Sequence, residues 1–150
     1  MKNAEEVLKS KNRPIITVTC DTNILTAVKT MVDNKVGAIL VNEGDEIVGM
    51  WTERDFMRNM LIPGIDPSKT SICEYMTVGV DTVSYDLSVN ELFNEFITHR
   101  KRHLLIEKHG KNIGLLGVHD VIKAYYQELR GYVSLQFYEK PLRDFDKIYS

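Results

Sequence analysis

Two stretches of this chain read as copies of one another. Residues 17–55 are TVTCDTNILTAVKTMVDNKVGAILVNEGDEIVGMWTERD, and residues 82–120 are TVSYDLSVNELFNEFITHRKRHLLIEKHGKNIGLLGVHD. Aligned without gaps at an offset of 65 residues, they share six identities in 39 positions and place apolar residues at the same points. The identical pairs are Thr17/Thr82, Val18/Val83, Asp21/Asp86, Leu40/Leu105, Gly49/Gly114 and Asp55/Asp120. This pattern indicates a tandem duplication, which sets the fold before any single motif does.

Each copy predicts the order β-α-β-β-α. In the first copy, capping side chains at 21–23 precede a helix whose apolar residues recur at helical spacing. A buried strand at 38–41, a turn at 43–45 and a second strand at 47–51 follow. Thr52 can then cap the next helix. The second copy repeats this order, so we predict an α/β (α+β) fold.

The repeats also predict how the chain is divided. Segments around Val7-Leu8 and Ile72-Cys73 look like matching lead-in helices before the two copies. A copy of about 60 residues buries too little apolar surface to be stable alone, so we expect the two to pack together. The predicted divisions are repeat 1 at 1–61, a linker at 62–68, repeat 2 at 69–130 and a C-terminal extension at 131–150.

Composition excludes several classes of protein. Of 150 residues, 43% are hydrophobic and 27% are charged, which is typical of a globular chain. The formal charge of −2 argues against a protein that binds nucleic acid through a broad basic surface. There is no apolar run near the roughly 18 residues of a membrane span, and the first residues lack the apolar stretch of a secretory signal. We therefore expect a cytoplasmic protein with no membrane partner.

The motifs of common enzymes are missing from the sequence. There is no Gly-x-Ser-x-Gly elbow, His-Glu-x-x-His, P-loop or Gly-x-Gly-x-x-Gly. Cys20 and Cys73 are too few and too far apart for a Cys-x-x-Cys pair or a zinc cage, so each is interpreted as a small buried apolar side chain. We predict no enzyme activity, no catalytic residue, no metal and no required cofactor.

The two sets of motifs resemble a tandem pair of CBS domains, the regulatory module named after cystathionine-β-synthase, over about residues 4–130. The strings that carry the resemblance are VGAILV at 36–41, GMWTERD at 49–55, ICEYMT at 72–77, RHLLI at 102–106 and GLLGVHD at 114–120. The resemblance implies a disc in which two repeats pack about a pseudo-twofold axis and leave two clefts. In the family such clefts commonly hold AMP, ADP, ATP, S-adenosylmethionine or NAD.

The resemblance implies a first cleft at the Thr-x-x-Asp motif that opens the last helix of repeat 1. An acidic side chain can accept hydrogen bonds from both ribose hydroxyls, and a helix N-terminus favours phosphate. Family geometry adds the strand start of the other repeat and main-chain groups at 79–82 for the adenine. The predicted set is Thr52, Arg54, Asp55, Lys101, Arg102, His103, Val80 and Thr82. The alternative is that Thr52 only caps the helix and Asp55 is an ordinary acid beside it.

The second cleft is expected to be weaker. Gly117 stands where the first repeat has Thr52, so the hydroxyl is lost, and the opposite strand start supplies no cation. The residues predicted there are Asp120, His119, Ile16, Gly37 and Ala38. We expect this cleft to be empty or to take a less charged adenosyl group.

The run HRKRH at 99–103 has three interpretations. Cations at a helix C-terminus are favoured by the dipole, the same cations could line a phosphate site, or they could contact nucleic acid. The net charge makes the third the weakest. A zinc pair of His99 and His103 is not expected, because the helix should end between them.

The sequence therefore predicts a stand-alone regulatory module that binds an adenosine nucleotide and signals to an unidentified protein effector. Family members often pair through their helices, so a homodimer is expected. The alternative is a scaffold whose clefts are vestigial. Arg130-Gly131 predicts the end of the last helix, and nine apolar or aromatic residues in the following 19 predict a tail that packs on its own disc or on a second chain.

Overall fold

The structure is a computed structural model that describes residues 1–132, so the interpretation of the tail falls outside the described residues. Its elements in chain order are α1 (Ala4–Lys11), β1 (Thr17–Thr19), α2 (Ile24–Asn34), β2 (Ala38–Glu43), β3 (Glu46–Thr52), α3 (Glu53–Met60), a short 3-10 helix η1 (Ile72–Glu74), β4 (Thr77–Val78), β5 (Thr82–Ser84), α4 (Val89–Thr98), β6 (His103–Lys108), β7 (Lys111–Gly117) and α5 (Val118–Tyr132). The predicted mixed α/β fold and the order of elements in both copies are confirmed. The last helix includes Gly131, so the stop predicted at Arg130-Gly131 is wrong.

The chain forms two compact units. We call Ile15–Val80 the central unit, and Met1–Pro14 together with the chain from Asp81 onward the split unit. These units are not the sequence repeats, because each contains the segment that leads into the other repeat.

The central unit is built on a four-stranded sheet in the order β1-β2-β3-β4. Strand β1 runs parallel to β2, while β2–β3 and β3–β4 are antiparallel. Trp51 is fully buried in this unit, and its indole N–H donates to Oδ1 of Asn59 at 2.8 Å, which satisfies the one polar atom of the ring. The other buried core residues are Ile24, Ala27, Met31, Ile39, Val41 and Ile72.

The split unit repeats this plan. In its described part, β5 runs parallel to β6 and β6 is antiparallel to β7. The register shift between Val41 and Asn42 in the central unit recurs between Ile106 and Glu107 in the split unit, at equivalent positions of the repeat. The core of this unit consists of Ala4, Val7, Val89, Leu92, Phe96, Leu104, Ile106, Leu116, Val121 and Ala124.

The lead-in segments are exchanged between the repeats. The amide of Ala4 donates to Leu87 O at 2.8 Å, and the amide of Ile72 makes the equivalent bond to Thr22 O at 2.8 Å. Both side chains are fully buried. The predicted match of Val7-Leu8 with Ile72-Cys73 is therefore wrong by three residues. The second lead-in is also a 3-10 turn, whereas a helix matching α1 was expected.

Cys20 and Cys73 form a disulfide within the central unit, with their Cα atoms 5.1 Å apart. That separation suits the geometry of a disulfide. The interpretation of these residues as two separate apolar side chains is therefore wrong. The bond joins the turn after β1 to the lead-in η1.

Candidate functional site

The N-terminus of α3 is closed by a reciprocal pair of hydrogen bonds. Thr52 is the N-cap residue, and its hydroxyl accepts from the amide of Asp55 at 3.3 Å. The Asp55 carboxylate accepts in return from the Thr52 amide at 2.9 Å and from the Thr52 hydroxyl at 3.0 Å, both through Oδ2. This arrangement is a capping box, in which two otherwise unsatisfied amides of the first turn find acceptors. The alternative interpretation, that Thr52 caps the helix, is thus part of the local geometry.

The cap leaves one oxygen of Asp55 available. Among residues 1–132, Oδ1 has a single charged neighbour, Nη1 of Arg58 at 3.8 Å, and Arg58 is itself mostly exposed. The Asp55 side chain is 15% exposed. A carboxylate oxygen held in place by the bonds to its twin can accept hydrogen bonds from a ligand hydroxyl without reorganising. Arg54, two positions into the helix, is exposed.

Strand β2 starts beside this cap. Ala38 pairs with Thr52 across β2 and β3, and Gly37 O accepts from the amide of Glu53 at 3.0 Å. Ile16 O accepts from the amide of Leu40 at 3.1 Å, just before β1. Three residues predicted for the second cleft, Ile16, Gly37 and Ala38, are thus held on the sheet of the central unit.

The N-terminus of α5 differs from that of α3. Gly117 has no side chain to cap with, but its amide donates to Oδ2 of Asp120 at 2.8 Å. The same oxygen accepts from Nζ of Lys11 at 2.9 Å, and Nε2 of His119 lies 3.3 Å from Oδ1. The Asp120 side chain is 9% exposed. Oδ2 of this carboxylate therefore already has two donors inside the split unit, and the His119 ring lies beside Oδ1.

Sequence reasoning missed Lys11. It lies in the last turn of α1, where a lysine is ordinarily explained by the helix dipole. Its Nζ also donates to Leu115 O at 2.9 Å, so the ammonium is held at two points. The sequence places Lys11 more than a hundred residues from Asp120, and no local pattern links them.

The basic run at 99–103 is divided among several roles. His99 caps α4 and contacts Glu95 at 3.0 Å, which is the helix-end interpretation. Lys101 forms an ion pair with Asp81 at 2.7 Å, Arg102 is exposed, and His103 begins β6 opposite Gly117. An exposed ion pair contributes at most about 1 kcal/mol, so a phosphate could displace Asp81 from Lys101.

The predicted ligand set is divided between the units. Thr52, Arg54, Asp55 and Val80 belong to the central unit, whereas Lys101, Arg102, His103 and Thr82 belong to the split unit. Thr82 is the first residue of β5 and pairs with Leu105. In the central unit, Thr52, Arg54 and Asp55 lie at the N-terminus of α3. In the split unit, Thr82 and His103 begin the neighbouring parallel strands β5 and β6.

Among residues 1–132, no three histidine, cysteine, aspartate or glutamate side chains gather where they could hold a metal ion. None of the helices in that range combines enough length with enough apolar residues to span a bilayer.

The proteins that this chain resembles belong to one family. The sequence profile of the CBS domain matches residues 4–62 and again 72–127. The mitochondrial CBS domain-containing protein CBSX3 of Arabidopsis thaliana is 29% identical over 134 residues, which are 83% of this chain and 65% of that protein. The chain thus spans less than two thirds of that relative.

Solved structures agree at the level of the fold. A CBS-domain protein from Burkholderia ambifaria has a TM-score of 0.77 and 33% identity, covering 85% of this chain and 96% of its own. A CBS domain protein from Pyrobaculum aerophilum, solved in complex with AMP, has a TM-score of 0.71 over 87% of this chain and 99% of its own, with 20% identity. At that identity the second match speaks for the fold alone.

Proposed function

This chain belongs to the CBS-domain family and carries two CBS repeats, and from this premise we propose that it is a regulatory module that binds an adenosine nucleotide at the N-terminus of α3. The ligand class is AMP, ADP, ATP, S-adenosylmethionine or NAD, which share the adenosine group. AMP is the first choice, because a relative of the same fold was solved with AMP bound.

The observation that carries the proposal is the state of the Asp55 carboxylate. Oδ2 is fixed by the capping box. Within residues 1–132, the one charged neighbour of Oδ1 is Nη1 of Arg58, which is 3.8 Å away. The remaining oxygen is a fixed acceptor for the ribose hydroxyls.

The phosphate needs cations from elsewhere. Two carboxylates, Glu53 and Asp55, lie in the first turn of α3 and offset the positive potential of its N-terminus. We therefore assign the phosphate to Lys101, Arg102 and His103 of the second repeat, as the family resemblance implies. The same resemblance assigns the adenine to main-chain groups at Val80 and Thr82. If so, Arg102→Ala weakens AMP binding while leaving adenosine binding nearly unchanged.

The test is a thermal melt of the whole chain with each of the five ligands. A ligand at one hundred times its dissociation constant adds about 2.7 kcal/mol to the free energy of unfolding, which for a chain of this length is a shift of roughly 5–10 °C. Asp55→Asn is the informative variant, because its amide oxygen can still accept from the Thr52 amide while the charged acceptor at Oδ1 is removed.

Glu91→Gln is the matched control. Glu91 closes the capping box of α4 through Ser88, as Asp55 does for α3, so the change removes a capping charge without touching the proposed site. We expect the full ligand shift in the wild type and in Glu91→Gln, and a clearly smaller one in Asp55→Asn. The absence of any shift in the wild type would refute the proposal.

We further propose that the module acts as a homodimer and signals to a separate protein. Support comes from apolar side chains exposed on the helices of the central unit. They are Leu25 and Val32 on α2, and Met57 and Leu61 on and just after α3. Val32→Asp should convert a dimer to a monomer in sedimentation, and an unchanged mass would exclude this face as the interface.

The role is proposed to be regulatory and non-catalytic, and the location cytoplasmic. Ligand binding regulates a partner only if it favours one arrangement of the module over another. The scaffold alternative is favoured by one observation, the Asp120 carboxylate, whose Oδ2 already accepts from Lys11 and from the Gly117 amide. It predicts that the dimer forms and that no adenosine nucleotide binds. Disulfides are rare in the cytosol, so trapping the state of Cys20 and Cys73 in cells tests the location.

A further inference from the structure

We propose that Lys11 is a specificity-determining residue that keeps ligands off Asp120, so that the chain binds one nucleotide and not two. This inference rests on the proposed function. It concerns the motif of the second repeat, and every contact that supports it lies within the split unit.

The first step is the position of the Lys11 ammonium. Its Nζ lies 2.9 Å from Oδ2 of Asp120 and 2.9 Å from Leu115 O, so it donates to both. A ribose hydroxyl would have to use the same carboxylate oxygens. Oδ2 already receives the Gly117 amide, and His119 lies 3.3 Å from Oδ1. The hydroxyl would be left with Oδ1, and the ammonium on Oδ2 neutralises the carboxylate charge that makes this oxygen a strong acceptor.

The second step is the contrast with the other repeat. Leu8 and Met76 occupy equivalent places, because each side chain is the nearest contact of the equivalent glycine, Gly114 or Gly49. Three residues after Leu8 comes Lys11, and three residues after Met76 comes Gly79. The lead-in of the central unit therefore offers no side chain at this point. The second donor to Oδ2 is therefore the neutral hydroxyl of Thr52 at Asp55 and the charged ammonium of Lys11 at Asp120.

The third step is burial. The Asp120 side chain is 9% exposed, and Lys11 covers it from a helix whose own core residues, Ala4 and Val7, are buried. An ammonium anchored in this way stays near its partner, because the helix that carries it is fixed by packing. Lys11 thus keeps a cation bound at the Asp120 carboxylate, where a ligand would otherwise bind.

The experiment is calorimetric titration of AMP and of adenosine into the full chain. The variants are Lys11→Met, Asp55→Asn, and the two combined. Adenosine is included because removing Lys11 leaves the second site without the cation that a phosphate would need. Lys9→Met is the matched control, since Lys9 lies on the same helix, is 74% exposed, and pairs with Glu5 at the surface.

We expect adenosine to bind at one site in the wild type and in Lys9→Met, and at two sites in Lys11→Met. The combined variant should bind adenosine at one site, about tenfold or more tighter than Asp55→Asn alone. Adding Asp120→Asn should abolish that site. Should Lys11→Met unfold, Lys11→Gln removes the charge and keeps a polar head.

The outcomes separate the two proposals. One site in Lys11→Met, or two in the wild type, overturns the role of Lys11 and leaves the proposed function standing. No binding by the wild type but one Asp120-dependent site in Lys11→Met keeps the role of Lys11 and refutes the site at Asp55. No binding by any variant refutes both.

Discussion

The exchange of lead-in segments predicts how the chain responds to a single added methyl group. A Cβ placed on Gly114 would meet Cδ2 of Leu8 at 2.5 Å and Cδ1 at 2.7 Å, both closer than carbon atoms approach without moving. Gly114→Ala therefore forces the Leu8 side chain to repack against β7. Overpacking of this kind costs about 1–3 kcal/mol, which at this length lowers the melting temperature by roughly 2–12 °C.

The assay is a double-mutant cycle measured by thermal or urea unfolding. Leu8→Ala removes the atoms in the way, so the two changes should be strongly non-additive, and the pair should lose less stability than the sum of the single variants. Gly37→Ala is the control, because its Cβ would touch the flexible Glu53 side chain at 3.4 Å or more. Additive effects would show that α1 does not pack on this strand, and would refute the exchange.

The equivalent change in the central unit should be harder to rescue. A Cβ on Gly49 meets Sδ of Met76 at 2.5 Å and also the main-chain oxygen of Thr77 at 2.9 Å. Met76 can turn aside, but Thr77 O belongs to β4, which pairs with β3 at this point. Met76→Ala should therefore restore only part of the stability that Gly49→Ala loses.

Two further results are expected in the same chain. Cys20→Ser should lower the free energy of unfolding by about 4 kcal/mol, which is the chain-entropy value for a disulfide that closes a loop of 53 residues. The variant should also lose any effect of reductant on the melting temperature. Equal melting temperatures of the oxidised and the reduced wild type would contradict this. The hydrogen bond from Lys108 lowers the pKa of Glu5 below its usual 4.5, so the stability it adds is present above pH 4.5 and is lost as the pH falls through the lowered pKa of the folded state. Melts of wild type and Glu5→Gln should then differ at pH 6, and the difference should shrink as the pH falls below 4.5. A difference that does not shrink with falling pH would count against the ion pair.

The sequence predicted what repeats locally. Element order follows from apolar periodicity and from capping residues such as Thr52 and Ser88, which act within a single turn. The asymmetry of the two motifs was also visible, because Gly117 replaces a hydroxyl. These features depend on neighbours in the chain.

What the sequence did not predict depends on distant residues. The lead-ins pair with the other repeat through amides such as those of Ala4 and Ile72. These two residues match only when the lead-ins are shifted by three residues from the offset that aligns the copies, so the alignment of the copies does not reveal the match. The disulfide joins residues 53 positions apart. The partner of Asp120 comes from α1, and its contribution could not be read from a lysine in a last helical turn.

The most direct test of the central claim is the dissociation constant of AMP for the wild type and for Asp55→Asn. Loss of a hydrogen bond to a charged acceptor costs about 1.5–3 kcal/mol, so we expect the constant to rise by about 10-fold to 150-fold. Asp120→Asn, measured alongside, should leave the constant unchanged. Equal constants for the wild type and Asp55→Asn would contradict the account, and a loss confined to Asp120→Asn would show that the ligand binds at the other repeat.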